Sequence, residues 1–429
     1  MKKKILWIVN IMLPEIAKAL ELDYSVREGW LSGIFDMISG EEDSEYEIGI
    51  AYPYMGTVKN PVITVKGIRC YPFYEELGFP QDYDQALEGR LKKIIDDFMP
   101  DMLHIFGTEF PHALAAAKVF AQPMKTLVGI QGLCSAIARD YYARLPERVI
   151  SKVTFRDFIR HDSIKDQKKK FEKRGEHEIE LLNKVNYITG RTKFDYEKTR
   201  VINPASVYLP LNESMRACFY EEDRWSPEYT KMHSIFLGQG DYPIKGMHFV
   251  LEAVGGLVKK YPDIKLYVAG NSIINARTFK DKLKTPSYGL YLRQIIKEYG
   301  LEDHIEVLGM LSPEKMKETY LKSSVFVCAS YVENSPNTIA EAMLLGMPVV
   351  TSNAGGIPSM ISEDEGIIVE RGMISELREA IDNIFTMEDE MDRSLTDMCT
   401  RAHERAVKDH DRKKNYEDLL KIYDRILSE

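Results

Sequence analysis

Short runs of branched aliphatic residues alternate with longer helical patterns along the whole of this 429-residue chain. Predicted strands at residues 5–9 and 102–106 are each followed by a helical pattern, and further strands are predicted at 235–238 and 325–329. Strands that are apolar along their full length are typical of parallel sheets covered by helices on both faces. The pattern therefore predicts an α/β fold of doubly wound parallel sheets.

The alternation falls into two blocks, separated by a charged, proline-containing stretch at residues 203–233. A chain of this length holds two or three domains of ordinary size. We therefore predict two Rossmann-like domains, residues 1–212 and 213–409. Residues 410–429 are predicted to form a C-terminal helical tail that packs on either domain, so that a return to the first domain is one of two arrangements.

The charge balance restricts the partners of the chain, which has 57 Lys and Arg against 66 Asp and Glu, a net charge of −9. Nucleic-acid binding requires a basic face, so this class of partner is excluded. Five scattered cysteines without metal-ligand spacing predict reduced thiols in a cytoplasmic protein. The uncharged stretch at residues 342–362 contains glycines and prolines, which indicate strands and turns instead of a membrane helix.

One segment opposes the acidic average. Residues 152–174 contain nine Lys or Arg and four Asp or Glu. The pattern fits a solvated helix face, and it also fits a patch that meets anionic lipid head groups or a lipid-diphosphate acceptor. The second interpretation predicts peripheral contact with the inner face of the membrane.

The segment at residues 325–358 is the most informative about chemistry. A strand ends near Ala329, and a helix is predicted to begin at Pro336 with Ser335 as its N-cap. Such a helix N-terminus beyond a strand's carboxyl end is a common phosphate site in open α/β sheets. Glu333 and Glu341 would repel phosphate, which indicates that they contact hydroxyl groups of the same ligand. A sugar nucleotide carries both groups, although two solvated glutamates fit the pattern as well.

A second strand–turn–helix crevice is predicted at residues 236–252. Its turn contains Gly238, Gln239 and Gly240, and Lys245-Gly246 opens the helix. A lysine at this place suits a diphosphate. The spacing matches neither a P-loop nor a dinucleotide-binding fingerprint.

These two pieces, together with residues 266–272 and 304–324, resemble the retaining GT-B glycosyltransferases of family four, also called group one. Glu333 and Glu341 match that family's Glu-x7-Glu motif, and Lys245-Gly246 matches its phosphate-binding pair. The resemblance implies a GT-B fold of two facing Rossmann-like domains and a nucleotide-sugar donor, for which UDP is the expected nucleotide. It implies no cofactor and no metal.

The resemblance also implies roles for individual residues. Glu333 would bind hydroxyls of the transferred sugar, Glu341 the ribose, and Lys245 the diphosphate, with Glu333 and Lys245 as the catalytic pair. The leaving phosphate would itself help to deprotonate the acceptor. The full donor-binding set implied in this way is Gly238, Gln239, Gly240, Lys245, Gly246, Glu333, Asn334, Ser335, Pro336, Asn337, Thr338 and Glu341.

The chain departs from the family at three places. Gln239 stands where the family usually has an arginine, and Arg191 or Arg216 is a candidate substitute. Glu28-Gly29-Trp30 is the nearest match to a glycine pair that follows the first strand. Gln131-Gly132 occupies a position where a histidine is common.

Residues at other predicted strand ends are candidates for the acceptor side of the site. The alternative interpretation of His104 and its neighbours is a buried histidine with local capping. The triplet Asp-Tyr-Asp at residues 82–84 could suggest a metal site, but an acidic residue at the start of a helix is the simpler interpretation. The acceptor-side candidates are Gly29, Trp30, His104, Thr108, Glu109, Gln131 and Arg191.

The predicted function is transfer of a sugar, with retention of configuration, from a nucleotide sugar to a hydroxyl of a glycan or lipid-linked saccharide, as in polysaccharide biosynthesis. A sugar-nucleotide epimerase or a phosphorylase of the same architecture is the alternative enzyme. A partner subunit that has lost activity is the non-enzymatic alternative, to which Gln239 gives some weight.

Overall fold

The computed structural model describes residues 2–22, 29–40, 44–56, 62–274, 278, 281 and 283–429. They form two compact units. The first comprises residues 1–138, 170–216 and 410–429, and the second comprises residues 139–169 and 217–409. Within the described residues, no helix is both long and apolar enough to cross a bilayer.

The first unit is built on an eight-stranded sheet. Its strand order is β3-β4-β2-β1-β5-β6-β7-β8, and the pairs are parallel except for β3 with β4. Alternate side chains of the strands enter two cores, one on each face of the sheet. The strands are β1 (Lys3–Val9), β2 (Tyr46–Pro53), β3 (Ile63–Val65), β4 (Ile68–Phe73), β5 (Met102–Phe106), β6 (Thr126–Gly129), β7 (Tyr187–Gly190) and β8 (Val207–Pro210).

The second unit is built on a six-stranded sheet that is parallel throughout, in the order β11-β10-β9-β12-β13-β14. The predicted doubly wound α/β architecture is confirmed in both units. The strands are β9 (Lys231–Leu237), β10 (Lys265–Ala269), β11 (Ile305–Gly309), β12 (Ser323–Cys328), β13 (Val349–Ser352) and β14 (Ile367–Val369).

Helices connect the strands of both sheets. They are α1 (Pro14–Ala19), α2 (Gly29–Ser39), α3 (Ala86–Phe98), α4 (Pro111–Phe120), α5 (Cys134–Asp140), α6 (Glu147–Ile150), α7 (Phe155–Arg160), α8 (Ile164–Leu182), α9 (Lys193–Ile202), α10 (Met247–Leu257), α11 (Ser287–Tyr299), α12 (Pro313–Lys322), α13 (Asn337–Leu344), α14 (Ile357–Met360), α15 (Ile374–Asp389), α16 (Arg393–Asp409) and α17 (Arg412–Ser428).

The C-terminal helix α17 packs into the first unit. Its Tyr423 is fully buried, and the Tyr423 hydroxyl accepts a hydrogen bond from Trp7 Nε1 at 2.9 Å. The same hydroxyl lies 2.7 Å from Nδ1 of His104. Of the two arrangements that the sequence left open for the tail, the structure therefore has the return to the first unit.

Residues 139–169 group with the second unit, whereas the sequence-based division at 212/213 assigned them to the first. Asp157 Oδ2 accepts the backbone N–H of Ser287 at 2.9 Å, and Arg371 donates to Asp140 at 3.3 Å. These contacts join positions more than 100 residues apart, so local patterns do not reveal them. Most of the basic segment at 152–174 therefore lies in the second unit.

Candidate functional site

Lys245 and Glu333 meet at the carboxyl edge of the second sheet. Lys245 lies in the turn between β9 and α10, and Glu333 lies in the loop between β12 and α13. The Lys245 Nζ is 2.8 Å from Glu333 Oε2, which also accepts a hydrogen bond from Ser330 Oγ at 2.9 Å. The fold thus brings together the two residues assigned to catalysis by sequence, and it adds Ser330, which sequence reasoning did not single out.

The electrostatics of this pair favour a charged lysine. Burial by itself lowers the pKa of Lys245, but the negative charge and hydrogen bond of Glu333 outweigh it, so that the Lys245 pKa is raised. Side-chain exposure is 25% for Lys245 and 13% for Glu333. The Lys245 side chain is therefore partly exposed, and an anion that binds its ammonium group must compete with Glu333.

Two glycines allow the loops to approach each other closely. Gly246 has φ +74°, and a Cβ there would lie 1.9 Å from the carbonyl oxygen of Ala329. Gly355 has φ +54°, and its Cβ would lie 1.8 Å from the carbonyl oxygen of Glu333. The same Glu333 oxygen accepts the N–H of Gly356 at 3.2 Å. Glycine is therefore required at both positions, and the backbone around Glu333 is held in place.

Helix α13 presents its N-terminus at the same edge. It begins at Asn337, with Pro336 as the N-cap, so the prediction of Ser335 as N-cap and Pro336 as first helical residue is wrong by one position. The N-cap residue Pro336 makes no side-chain hydrogen bond to the first turn, whose N–H groups carry a partial positive charge. Asn337 Oδ1 is buried and has no hydrogen-bond partner within the part of the chain that the structure describes. A buried acceptor of this kind is normally paired with a hydrogen-bond donor.

The remaining residues of the loop and helix are more enclosed. Asn334 and Ser335 are each 7% exposed, and Glu341 is buried. The Tyr320 hydroxyl lies 3.4 Å from Glu341 Oε2 and 3.0 Å from the Thr338 carbonyl oxygen. The two glutamates of the motif therefore differ in exposure, since Glu333 lies in a loop and is partly exposed, whereas Glu341 lies within α13 and is buried.

The turn after β9 contains the position where the family usually has an arginine. A Cβ on Gly238 would lie 3.2 Å from Thr338 Cγ2, so this strand end touches the start of α13. Gln239 Nε2 donates to Asp241 Oδ1 at 2.8 Å, and Gly240 packs against Met247. A neutral amide here therefore faces a carboxylate.

Arg371 is a cation at this edge that sequence reasoning missed. It follows β14, whose three residues are too few to predict as a strand. Its guanidinium carbon is 4.6 Å from the centroid of the Tyr331 ring, and Nη1 donates to the Tyr331 carbonyl at 3.1 Å. The substitutes proposed from sequence, Arg191 and Arg216, belong to the first unit.

In the first unit, His104 is enclosed by Tyr423 and is 1% exposed. Burial lowers the pKa of His104 to about 3, so the ring is neutral. This environment fits the alternative interpretation of a buried histidine.

Glu109 is an acceptor-side candidate in the loop that follows β5. It is partly exposed, and burial raises the pKa of its carboxyl group although Arg174 opposes the shift. Glu109 Oε2 accepts a hydrogen bond from Asn10 Nδ2 at 3.1 Å. The neighbouring Thr108 is buried, and its hydroxyl lies 2.9 Å from Glu178.

A polar chain that sequence reasoning missed extends behind Glu109. His112 Nε2 lies 2.9 Å from Asn10 Oδ1, and His112 Nδ1 lies 2.5 Å from Glu75 Oε2. His112 and Glu75 are both buried. Because these residues follow three different strands, only the sheet order brings them together, and Asn10 joins the pair to Glu109.

The other candidates of the first unit surround a small cavity of about 20 Å³, roughly the space for one water. Gln131 Nε2 donates to Glu213, and Arg191 Nη2 lies 3.4 Å from the same carboxylate. Gly29 and Trp30 begin α2, but their side chains, and all of Glu28, lie outside the described residues.

The acidic triplet has local partners. Asp84 accepts the N–H of Ala86 and pairs with Arg90, and these bonds lower the pKa of Asp84. No group of three His, Cys, Asp or Glu side chains that could hold a metal occurs among the residues with described positions.

Comparison with known proteins relates this site to one family. Residues 221–404 match the family model of the group 1 glycosyl transferases. The chain is 28% identical to spore coat protein SA of Bacillus subtilis over 121 residues, which span 28% of this chain and 30% of that relative. The aligned region is thus less than a third of the relative's length.

Two solved structures show the fold. Sucrose-phosphate synthase from Thermosynechococcus elongatus superposes with a TM-score of 0.70 at 13% identity, covering 100% of both chains. HepE of Anabaena, solved in complex with UDP-glucose, superposes with a TM-score of 0.64 at 14% identity, covering 98% of both chains. The chain therefore has the GT-B fold.

Proposed function

Because residues 221–404 match the family model of the group 1 glycosyl transferases, we propose that this protein transfers a sugar from a nucleotide sugar to a hydroxyl group, with retention of anomeric configuration. The observation that supports the proposal most is the Lys245–Glu333 ion pair beside the N-terminus of α13. A diphosphate bound there would form an ion pair with Lys245 in place of Glu333. The Glu333 carboxylate would then be free to accept hydrogen bonds from sugar hydroxyls.

Each element of the site would stabilise a different part of the reaction. As the bond from the anomeric carbon to the diphosphate breaks, negative charge develops on the leaving oxygen. Lys245 and the first N–H groups of α13 would stabilise that charge by preorganised electrostatics. The acceptor oxygen bonds to the anomeric carbon on the same face, and its proton passes to the leaving phosphate. The chain needs no cofactor or metal in this scheme.

UDP is the proposed nucleotide, which the UDP-glucose complex of HepE supports. In the proposed pose, Glu341 binds the ribose, and the buried Asn337 Oδ1 accepts a hydrogen bond from the nucleotide sugar. The proposed acceptor is a glycan or a lipid-linked saccharide, and Glu109 is a candidate in the first unit for contacting it. We place the reaction in the cytoplasm, at the inner face of the membrane when the acceptor is lipid-linked.

A thermal-shift screen with UDP-, GDP-, ADP- and dTDP-sugars tests the donor. Stabilisation by one nucleotide only, lost in Lys245→Ala, is the expected result. Incubation with the stabilising nucleotide sugar should then show slow hydrolysis that EDTA does not inhibit. An epimerised sugar would instead support the epimerase, and the absence of nucleotide binding would support an inactive subunit.

A further inference from the structure

Helix α7 exposes its apolar face. Phe155, Phe158 and Ile159 lie on one side of this helix, and they are 63%, 67% and 60% exposed. Val153, two residues before Phe155, is 56% exposed. A surface helix of a globular protein normally buries this face, so α7 is inverted relative to the usual arrangement.

The polar face of α7 is turned inward and anchored. Asp157 is fully buried and accepts the N–H of Ser287 on α11 at 2.9 Å. Thr154 and Asp157 form a capping box at the start of the helix. Arg156 pairs with Asp157 at 3.1 Å and with Asp162 at 2.8 Å. Rotating the helix would bury its aromatic side chains only by breaking these bonds, so the exposure is built into the fold.

A groove of about 480 Å³ continues the apolar surface. It is lined by Phe155 and Ile159 from α7 and by Leu283, which is 42% exposed. The cations Arg160 and Lys284 also line it. All of these residues belong to the second unit.

The charges around this apolar surface are mainly positive at the exposed positions. Lys152, Arg160 and Lys284 are exposed. Of the nearby carboxylates, Asp162 is paired with Arg156, and Asp281 accepts hydrogen bonds from Thr278. Aromatic and aliphatic tips surrounded by exposed cations match the boundary between acyl chains and anionic head groups.

We propose that this α7 surface, made of Val153, Phe155, Phe158, Ile159, Leu283 and the cations Lys152, Arg160 and Lys284, docks on an anionic lipid bilayer. Its apolar tips enter the head-group boundary while the cations pair with lipid phosphates. Docking therefore requires apolar insertion as well as charge, and it is measured without any nucleotide sugar. Its outcome is thus independent of the proposed transferase activity.

Flotation of the full chain with vesicles tests the docking. We expect binding to phosphatidylcholine vesicles that contain about 30% phosphatidylglycerol and much weaker binding to phosphatidylcholine alone. The triple variant Phe155→Ser, Phe158→Ser, Ile159→Ser should lose about tenfold or more in apparent affinity. The variant Lys152→Glu, Arg160→Glu, Lys284→Glu should lose the preference for anionic lipid.

A matched control replaces three large side chains elsewhere that are at least as exposed, namely Val201→Ser, Tyr229→Ser and Met391→Ser. This control should float like the unmodified chain. All variants should keep the thermal midpoint of the parent, since they change only exposed residues. Equal binding by the α7 triple variant and the control would overturn the proposal.

Depth of insertion provides a second measurement. In Phe158→Trp, the new indole should be quenched by brominated acyl chains, and its emission should shift to the blue on vesicle binding. Unchanged emission would overturn the proposal. A second copy of the chain is the competing occupant, and a dimer in sedimentation analysis that the α7 triple variant dissociates, without any vesicle binding, would show it.

Discussion

The ammonium nitrogen of Lys245 lies 2.8 Å from Oε2 of Glu333, although 88 positions separate the two residues in the chain. Parallel pairing of β9 with β12 creates this contact, because it places the loops that follow the two strands side by side. The pair keeps the lysine charged and fixes its position before a ligand arrives.

Lys245→Ala should lower turnover of the nucleotide sugar by about 10²–10³-fold, since it removes a preorganised cation from the leaving group. Lys322→Ala removes an exposed lysine of the same unit and should leave turnover unchanged. Steady-state assays of both variants, with their thermal midpoints, separate the loss of a charge from the loss of the fold. Full turnover in Lys245→Ala would refute the role assigned to this lysine.

Glu333→Gln should partly restore nucleotide binding when it is added to Lys245→Ala. The single lysine variant leaves an unpaired carboxylate beside the diphosphate, and the double variant removes that repulsion. Calorimetric titration with UDP should show tighter binding by the double variant than by Lys245→Ala alone. Weaker binding by the double variant would mean that Glu333 does not face the diphosphate.

Gly355→Ala should destabilise the second unit by more than Gly300→Ala. Both glycines have positive φ, but among the described residues no non-neighbouring atom lies within 4 Å of a Cβ at Gly300, whereas a Cβ at Gly355 meets the Glu333 carbonyl. Gly300→Ala thus measures the backbone strain alone, about 1–2 kcal/mol. Denaturant unfolding monitored in both variants should give the larger loss for Gly355→Ala, and equal losses would exclude the close approach.

Tyr423→Phe should destabilise the first unit by about 1–3 kcal/mol, because it leaves Trp7 Nε1 and His104 Nδ1 buried without their partner. Tyr229→Phe changes a tyrosine that is 78% exposed and should have no measurable effect. Thermal unfolding compares the two. Equal midpoints would show that the Tyr423 hydroxyl of α17 does not stabilise this core.

His248 makes the stability of the second unit depend on pH. Burial lowers the pKa of His248 to about 4, and its ring bonds to the Ala143 carbonyl and the Tyr288 hydroxyl. The unfolded chain takes up this proton below about pH 6.5, whereas the native state does not until about pH 4. The contribution of His248 to the free energy of unfolding is therefore fully present above about pH 6.5, and it should be lost as the pH falls towards 4.

The corresponding measurement is the unfolding midpoint between pH 7 and pH 4.5, expressed as the difference between the unmodified chain and His248→Gln. As the pH falls, the midpoint of the unmodified chain should decrease by more than the midpoint of His248→Gln. His161→Gln, at an exposed position, should show no such change. A constant difference for His248→Gln would contradict a lowered pKa.

Local patterns predicted what depends on neighbours in the chain. The apolar runs of β1, β5, β9 and β12 are long enough to recognise, and the Lys-Gly and Glu-x7-Glu spacings identify the two loops of the site. Four strands were missed for local reasons. β3 and β14 have only three residues each, β4 contains Pro72, and β8 lies within the stretch interpreted as a connection.

The sequence by itself determined the alternation of strands and helices, because the burial of each element follows the period of its own apolar residues. It also determined which loops carry charge at strand ends. Only the tertiary structure decided which of those loops meet, that residues 139–169 join the second unit, and that α7 turns its aromatic side chains outward. These outcomes rest on sheet order and on polar contacts between distant positions, such as Asp157 with Ser287, which no local pattern contains.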